Sequence, residues 1–311
     1  MQIFRCVFLV FSLFGVSVLS ADLEDQLRII KNKTDGHSIR NIDFIYMINL
    51  DQRPEKWKLS IDQLEPFGIK PFRFSAVNGW ELSLETINDV GLKYLPEMQN
   101  FDLMGTYYPL DGNFEPHHEK ISHYGRAYFC HCMARGTIGI CLSHISILKD
   151  AFDSGYETIW VMEDDIEVIR DPRMLSDYVD KLDAVVGEGN WDILFTDRDI
   201  RGQRGEYVIS YWAAKRPDFG SYLQKNNYEH RLDVSPEFRV IGARYGAHSM
   251  IIRRSGMKKL LTFFFAHQIF LPYDLEYILP PGIKLYTVRE DVVSNLPKAL
   301  SDNGGANYLK K

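Results

Sequence analysis

Three carboxylates in a row, Glu163-Asp164-Asp165, close the apolar run Thr158 to Met162. Adjacent acids at the end of a buried strand repel one another and lose solvation, so they persist most easily where a divalent cation neutralises them. In an extended segment alternate side chains share a face, which projects Glu163 and Asp165 together and turns Asp164 elsewhere. A hard cation held there would bridge two phosphates and stabilise the charge that develops on a leaving diphosphate. The competing reading is a solvated acidic turn closing a strand. Asp192, Asp197 and Asp199 are the further carboxylates that a two-metal phosphatase or nuclease would need.

Such a triplet works only if the chain around it builds a sheet edge. Ile42 to Leu50 (IDFIYMINL) reads as a first buried strand. Asp51 is a candidate helix cap, Pro54 suits a first helical turn, Trp57, Ile61 and Leu64 share a helical face, and Gly68 ends the helix. A second strand over Pro71 to Val77 runs into the turn pair Asn78-Gly79. This strand, helix, strand order opens a nucleotide-binding α/β sheet. From Leu82 to Arg135 the periodicity dissolves, and an irregular insertion covering one edge of the site is expected. A helix through Ile145, Leu148 and Phe152 precedes the acid-bearing strand. Further strands are expected at Trp191 to Phe195, Ala247 to Ile252 and, last, Ile283 to Val288, with a helix through Ser255 to Phe265.

With 311 residues, one principal domain is expected over residues 42–300, after a loose lead-in at 21–41 and before a tail at 301–311. A formal charge of -6 gives no basic field for phosphate backbones, which disfavours nucleic-acid binding. Residues 1–20 combine a short basic start with the apolar run Cys6 to Leu19 and read as a signal peptide, the alternative being an uncleaved anchor that would supply the sole membrane association. Cleavage would leave Cys130, Cys132 and Cys141, an odd set that allows at most one internal pair.

Five fragments occur in order: Ile48-Asn49-Leu50-Asp51-Gln52-Arg53-Pro54-Glu55, Ala76-Val77-Asn78-Gly79, Gly139-Ile140-Cys141-Leu142-Ser143-His144, Val161-Met162-Glu163-Asp164-Asp165, and Gly246-Ala247-His248-Ser249-Met250 with Asp274 beyond it. Together they resemble glycosyltransferase family 25, which includes bacterial lipooligosaccharide and animal collagen galactosyltransferases. The resemblance implies a GT-A type fold, a mixed sheet flanked by helices that binds a nucleotide sugar. It also implies a UDP-sugar donor, usually UDP-galactose, manganese as cofactor, and inversion at the anomeric carbon. By position, Asn49, Leu50 and Arg53 would hold the uridine side, and Ala76, Asn78 and Gly79 would shape its pocket. Asp164 would join them on the donor side. Ser143 and His144 would begin the helix ahead of the metal strand and offer its N–H groups to an anion, although a buried histidine bonded to backbone is the plainer reading of His144. The sequence departs from the family pattern at Lys56, where arginine is usual, at Thr137, at the shifted Cys141, and in lacking a tyrosine within Gly246 to Met250.

For an inverting transfer, Asp274 is the candidate base that accepts the acceptor's proton, with Glu276 in reserve; the alternative is that both cap the helix after Pro272. Glu163 and Asp165 would hold the metal, and His248 would complete its sphere or serve as a structural histidine. His117, His118, His123, Cys130, His131 and Cys132 invite zinc, but their spacings match no standard finger or ribbon, so a loop beside the acceptor groove is expected. Trp80, Tyr107, Tyr108 and Trp212 are candidates for stacking on sugars or for core. The acceptor would be a glycan, a lipid-linked glycan or a glycoprotein. In a eukaryote the amino-terminal segment implies the endoplasmic reticulum or Golgi lumen, where Asn32-Lys33-Thr34 is a glycosylation sequon; in a bacterium it implies an anchored or exported protein. Two other readings stand beside transfer: a degenerate, non-catalytic binder of glycans or partners, and the phosphatase or nuclease.

Overall fold

The computed structural model describes residues 23–309 except 199, 201–205, 207, 209–214, 220–224 and 298. The amino-terminal segment 1–20, Asp199 and Trp212 lie outside the described residues. In chain order the elements are β1 (Phe44–Asn49), α1 (Pro54–Leu64), β2 (Phe72–Ser75), α2 (Leu84–Val90), β3 (Leu92–Lys93), β4 (Met104–Tyr107), β5 (His117–Lys120) and β6 (Ala127–Cys130). Then come α3 (Arg135–Asp153), β7 (Thr158–Glu163), β8 (Ile166–Val168), α4 (Leu175–Val186), β9 (Ile193–Phe195), α5 (Lys225–Glu229), β10 (Arg231–Asp233) and β11 (Phe238–Ile241). β12 (Ser249–Arg253), α6 (Arg254–His267), α7 (Tyr273–Glu276), β13 (Leu285–Val288) and β14 (Val293–Asn295) complete the order.

Among the described residues, eight strands form one mixed sheet in the order β10-β11-β13-β9-β12-β7-β1-β2. β2, β1 and β7 run parallel, β12 runs against β7 and β9, and β9 is parallel to β13. β1 and β7 read as unbroken apolar runs because both faces of the sheet are covered. Phe44, Tyr46 and Ile48 face one core with residues of α3 and α6, while Ile45 and Met47 face a second core with residues of α1 and α4. The same alternation in β7 sends Ile159 and Val161 to the first core and Trp160 and Met162 to the second. An α/β fold with a large mixed sheet between helices is thus what the sequence foretold.

Several local expectations give way. Arg53, not Asp51, precedes α1, and Asp51 accepts a hydrogen bond from Ser75 instead. The stretch 82–135 is built from α2 and a four-stranded antiparallel sheet in the order β3-β6-β4-β5, not an irregular loop. Its strands are only two to four residues long and one, His117–Lys120, is mostly exposed, so it carries little apolar pattern. β14 follows β13 and pairs with β8, so Ile283 to Val288 is not the last strand. The lead-in is docked: Arg28 donates to the Ser75 carbonyl, and Asp35 accepts from the Ile45 amide.

Candidate active site

The carboxyl ends of β1, β2, β7 and β9 point to one edge of the sheet, the place where open α/β sheets bind ligands. A cleft with about 630 Å³ of empty space, part of it open to solvent, lies outside the ends of β1, β2 and β7. Leu50, Ala76, Asn78, Gly79, His144 and the whole acid triplet line it.

Strand parity sets the directions of the acids. Glu163 continues the face of Ile159 and Val161 and meets α3, where His144 Nε2 lies 3.2 Å from its Oε1. His144 is buried and its ring stacks on Tyr273 at 4.1 Å between centroids, so this histidine is bonded to a carboxylate and not to backbone. Asp164 turns to the α1 face. Its Oδ2 accepts from the Asn49 side chain at 2.6 Å, its carbonyl accepts from Ser60 at 2.7 Å, and Lys56 Nζ stands 3.7 Å from its Oδ1. Asp165 follows just beyond the strand, its Oδ1 buried without a hydrogen-bond donor.

The three acids titrate differently. Desolvation works to push Glu163 up, but His144, then His248 and Lys56, bring its carboxyl below the usual range. Burial pushes Asp164 up to about 6, against the pull of Lys56 and the Asn49 amide. Burial and then the charge of Glu163 raise Asp165, with Lys56 and His248 opposing.

His248, just before β12, gives its carbonyl to the Glu163 N–H at 2.9 Å and places Nε2 2.8 Å from Asp197 Oδ2. Asp197 follows β9 and is buried. Burial works to raise its carboxyl, but Arg244 and then His248 bring it down to about 2. With Nε2 held by Asp197, Nδ1 is the ring nitrogen left for another partner. A carboxylate behind a histidine is the usual support of a metal-bound imidazole. Gly246 has φ +88°, and a Cβ there would lie 3.1 Å from Nδ1, so both backbone and contact favour glycine.

Among the described residues, no three His, Cys, Asp or Glu side chains gather as a metal cage. A hard cation that takes one or two carboxylates from protein and the rest from phosphates and water fits the orphaned Asp165 oxygen beside Glu163. The zinc reading loses its geometry. His118 bonds Thr106, His123 bonds Glu119, and the Cys130 and Cys132 sulfurs face each other. Asp192, the other carboxylate of the two-metal reading, lies at the opposite end of β9, bound to Lys259, Ser255 and the Lys284 amide.

Other assignments shift. Asn49 faces Asp164, donates to the Arg53 carbonyl and accepts from Arg73, so it orients the triplet. Ser143 and His144 lie mid-helix, because α3 begins eight residues before Ser143, at Arg135. Their N–H groups are therefore not a helix start. Ser143 Oγ donates to the Gly139 carbonyl and accepts from the Val77 N–H, tying α3 to the cleft wall. A Cβ on Gly139 would fall 2.4 Å from the Val77 carbonyl, and this close packing explains why glycines interrupt the start of α3. Arg53 points to Asp302 at 2.8 Å and to Glu55 at 3.2 Å.

The tail supplied what the sequence did not announce. Ser301, Asp302 and Asn303 line the cleft, Trp80 Nε1 donates to the Asp302 carbonyl at 2.8 Å, and Asn78 donates to the Tyr308 hydroxyl at 2.8 Å. These partners are 222 and 230 residues apart, so no local pattern marks them. Trp80 is in the cleft wall as a stacking candidate should be, whereas Tyr108 is core and Tyr107 packs on Tyr128 and Arg126.

Asp274 lies beyond the cleft wall and accepts from the Gly246 N–H at 3.0 Å. Burial raises its carboxyl, the Gly246 N–H opposes, and the charge of Glu163 raises it further. Glu276 cannot serve in reserve. It is wholly buried, pairs with Arg216 and accepts from the Phe270 and Leu271 amides at 3.0 and 2.8 Å.

A mixed sheet between helices, with an acidic, partly enclosed cleft at its carboxyl edge, makes this an α/β protein, and sequence comparison narrows the class. Residues 42–276 match the profile of glycosyltransferase family 25, described as an LPS biosynthesis protein family, and the chain belongs to that family. It is 29% identical over 157 residues, 50% of this chain and 21% of the relative, to a "Glycosyltransferase 25 family member" of Aedes aegypti. A namesake in Drosophila melanogaster is 27% identical over 202 residues, 61% of this chain and 28% of the relative. A human protein named "Inactive glycosyltransferase 25 family member 3" is 23% identical over 220 residues, 71% of this chain and 29% of the relative. The chain thus spans less than a third of the length of these relatives. Among the described residues, no helix is long and apolar enough to cross a membrane.

Proposed function

We propose that the chain is an inverting glycosyltransferase of GT-A type that moves a sugar, galactose first, from a UDP-sugar to a hydroxyl of a glycan, lipid-linked glycan or glycoprotein. The observation that carries this reading is the triplet at the cleft: Glu163 is held by His144 of α3 and Asp164 by Asn49 of β1 and Lys56 of α1, while Asp165 keeps a buried oxygen without a donor. Glu163 and Asp165 would hold manganese, with donor phosphates and water completing its shell; His248, bonded to Asp197, stands behind Glu163 through its carbonyl. That cation would neutralise the departing diphosphate. Asn49 and Lys56 fix Asp164 on the donor side. Leu50, Ala76, Asn78 and Gly79 shape the wall against the nucleoside, and Trp80 with the 301–303 segment covers it. Asp274, raised by burial, takes the proton from the acceptor hydroxyl as the new glycosidic bond forms.

Incubation of the full chain with manganese and a panel of UDP-sugars tests the reading. Slow UDP release that is fastest with UDP-galactose supports it, and phosphate release from simple esters without dependence on UDP would overturn it. Calorimetry on Asp165→Asn should show loss of manganese-dependent UDP binding; unchanged affinity would remove the triplet from the site. A second reading, donor binding without transfer, draws on the human relative whose name calls it inactive. Tight UDP-sugar binding with no UDP release across acceptors would select it.

A further inference from the structure

The end of β6 carries Cys130-His131-Cys132, and the two sulfurs lie 2.8 Å apart. The segment is pinned on both sides: the Cys130 amide donates to the Phe270 carbonyl at 2.8 Å, and the Met133 amide closes a turn onto the Cys130 carbonyl at 3.0 Å. Cys130 is buried and Cys132 exposed. Cys141 is wholly buried within α3, its sulfur 3.7 Å from the Leu271 carbonyl, so it has a different partner.

We propose that Cys130 and Cys132 form a redox modification site, a dithiol that closes to a disulfide by exchange with a small-molecule disulfide of the glutathione type. Exposure divides the roles. Cys132, the sulfur that solvent reaches, attacks one sulfur of the small disulfide as a thiolate, forms a mixed disulfide and expels one thiolate. Cys130 then loses its proton and attacks Cys132 Sγ, which forms the internal bond and expels the second thiolate. The two protein thiols give up two electrons and two protons, and the oxidant leaves as two thiols. The hydrogen bond between the pair pulls the Cys132 thiol down and pushes the Cys130 thiol up, in keeping with attacker and resolver.

The position gives the couple a consequence. The charge of Asp274 acts on Cys132, and both act on Tyr245. Closure therefore removes a titrating thiol from the neighbourhood of the candidate base and stiffens the turn held to Phe270. The couple itself rests on the two sulfurs and not on any role for Asp274, so it stands or falls apart from the proposed transfer.

The test equilibrates the full chain in glutathione buffers of rising oxidised fraction, then uses acid quenching, maleimide alkylation and peptide mapping. The Cys130–Cys132 peptide is expected to lose both alkyl groups together, while Cys141 reacts only after unfolding and does so at every ratio. Cys130→Ser should trap a glutathione adduct on Cys132, and Cys132→Ser should leave Cys130 unmodified. Free thiols at Cys130, Cys132 and Cys141 at every ratio, a pair that includes Cys141, or an adduct on Cys130 in Cys132→Ser would each overturn the proposal.

Discussion

Asp274 and Glu276 stand two residues apart on α7, and substitution should separate their roles cleanly. Glu276→Gln keeps the volume but removes the charge that faces the wholly buried Arg216 and accepts from the Phe270 and Leu271 amides. Removing one partner of a buried ion pair costs about 3–5 kcal/mol. Arg216 retains Asp218 at 3.0 Å, which places the expectation at the low end of that range. At a urea slope of about 3 kcal/mol per M, a loss of about 3 kcal/mol lowers the unfolding midpoint by about 1 M. Asp274→Asn loses a charge but keeps an oxygen for the Gly246 N–H, so its stability should fall by less than about 1 kcal/mol and its midpoint by less than about 0.3 M. Its kcat should fall by about 10²–10⁴ with donor affinity retained. Tryptophan fluorescence in urea and UDP release at saturating donor report the two quantities. A Glu276→Gln protein that keeps its midpoint and loses turnover, or Asp274→Asn with wild-type turnover, would refute the division of labour.

The other predictions concern the supports of the site. Asp197, brought down to about 2, stabilises the fold above its unfolded range near pH 4 and loses that contribution as pH falls through about 2, so Asp197→Asn should cost about 2 kcal/mol at neutral pH. Acid-unfolding curves of wild type and variant should converge toward pH 2. Because burial pushes Asp164 up to about 6, manganese-dependent UDP affinity should rise between about pH 5 and 7, and calorimetry should find that rise absent in Asp164→Asn. Asp302→Asn weakens the contact with Arg53, and hydrogen exchange at residues 301–309 should speed up by roughly tenfold, an effect of about 1.4 kcal/mol. Gly139→Ala places a methyl against the Val77 carbonyl, and its melting temperature should fall in line with a loss of about 1–3 kcal/mol.

How much of this was legible in sequence depends on how local each signal is. β1 and β7 are buried on both faces, so their composition alone marks them, and strand parity correctly separates Glu163 from Asp164. The start of α3 was hidden because Gly136 and Gly139, which look like loop residues, are there to let the helix touch Asp302 and Val77. The small sheet leaves no period in the sequence because its strands are only two to four residues long, too short for an alternation to show. Asp197, a candidate carboxylate of the two-metal reading, sits just after a buried parallel strand as the triplet does, but its partners Arg244 and His248 are far away in sequence and leave no local signal. Nothing in the amino acids near Glu276 distinguishes it from Asp274, because the difference is Arg216, sixty residues away.

The contacts of Trp80 with Asp302 and of Asn78 with Tyr308 also bear on the order in which the molecule is made. During synthesis, β1, α1 and β2 leave the ribosome long before the 301–309 segment exists, so the cleft has a nucleoside wall well before it has a cover. Joining ends that far apart costs entropy that grows only slowly with separation, and a few side-chain contacts are enough to meet it once the sheet stands. The last wall of the pocket is thus added only after the rest of the chain has been made. A chain stalled or clipped before Asp302 would have the fold without the finished pocket, and its far-ultraviolet spectrum would not reveal the difference.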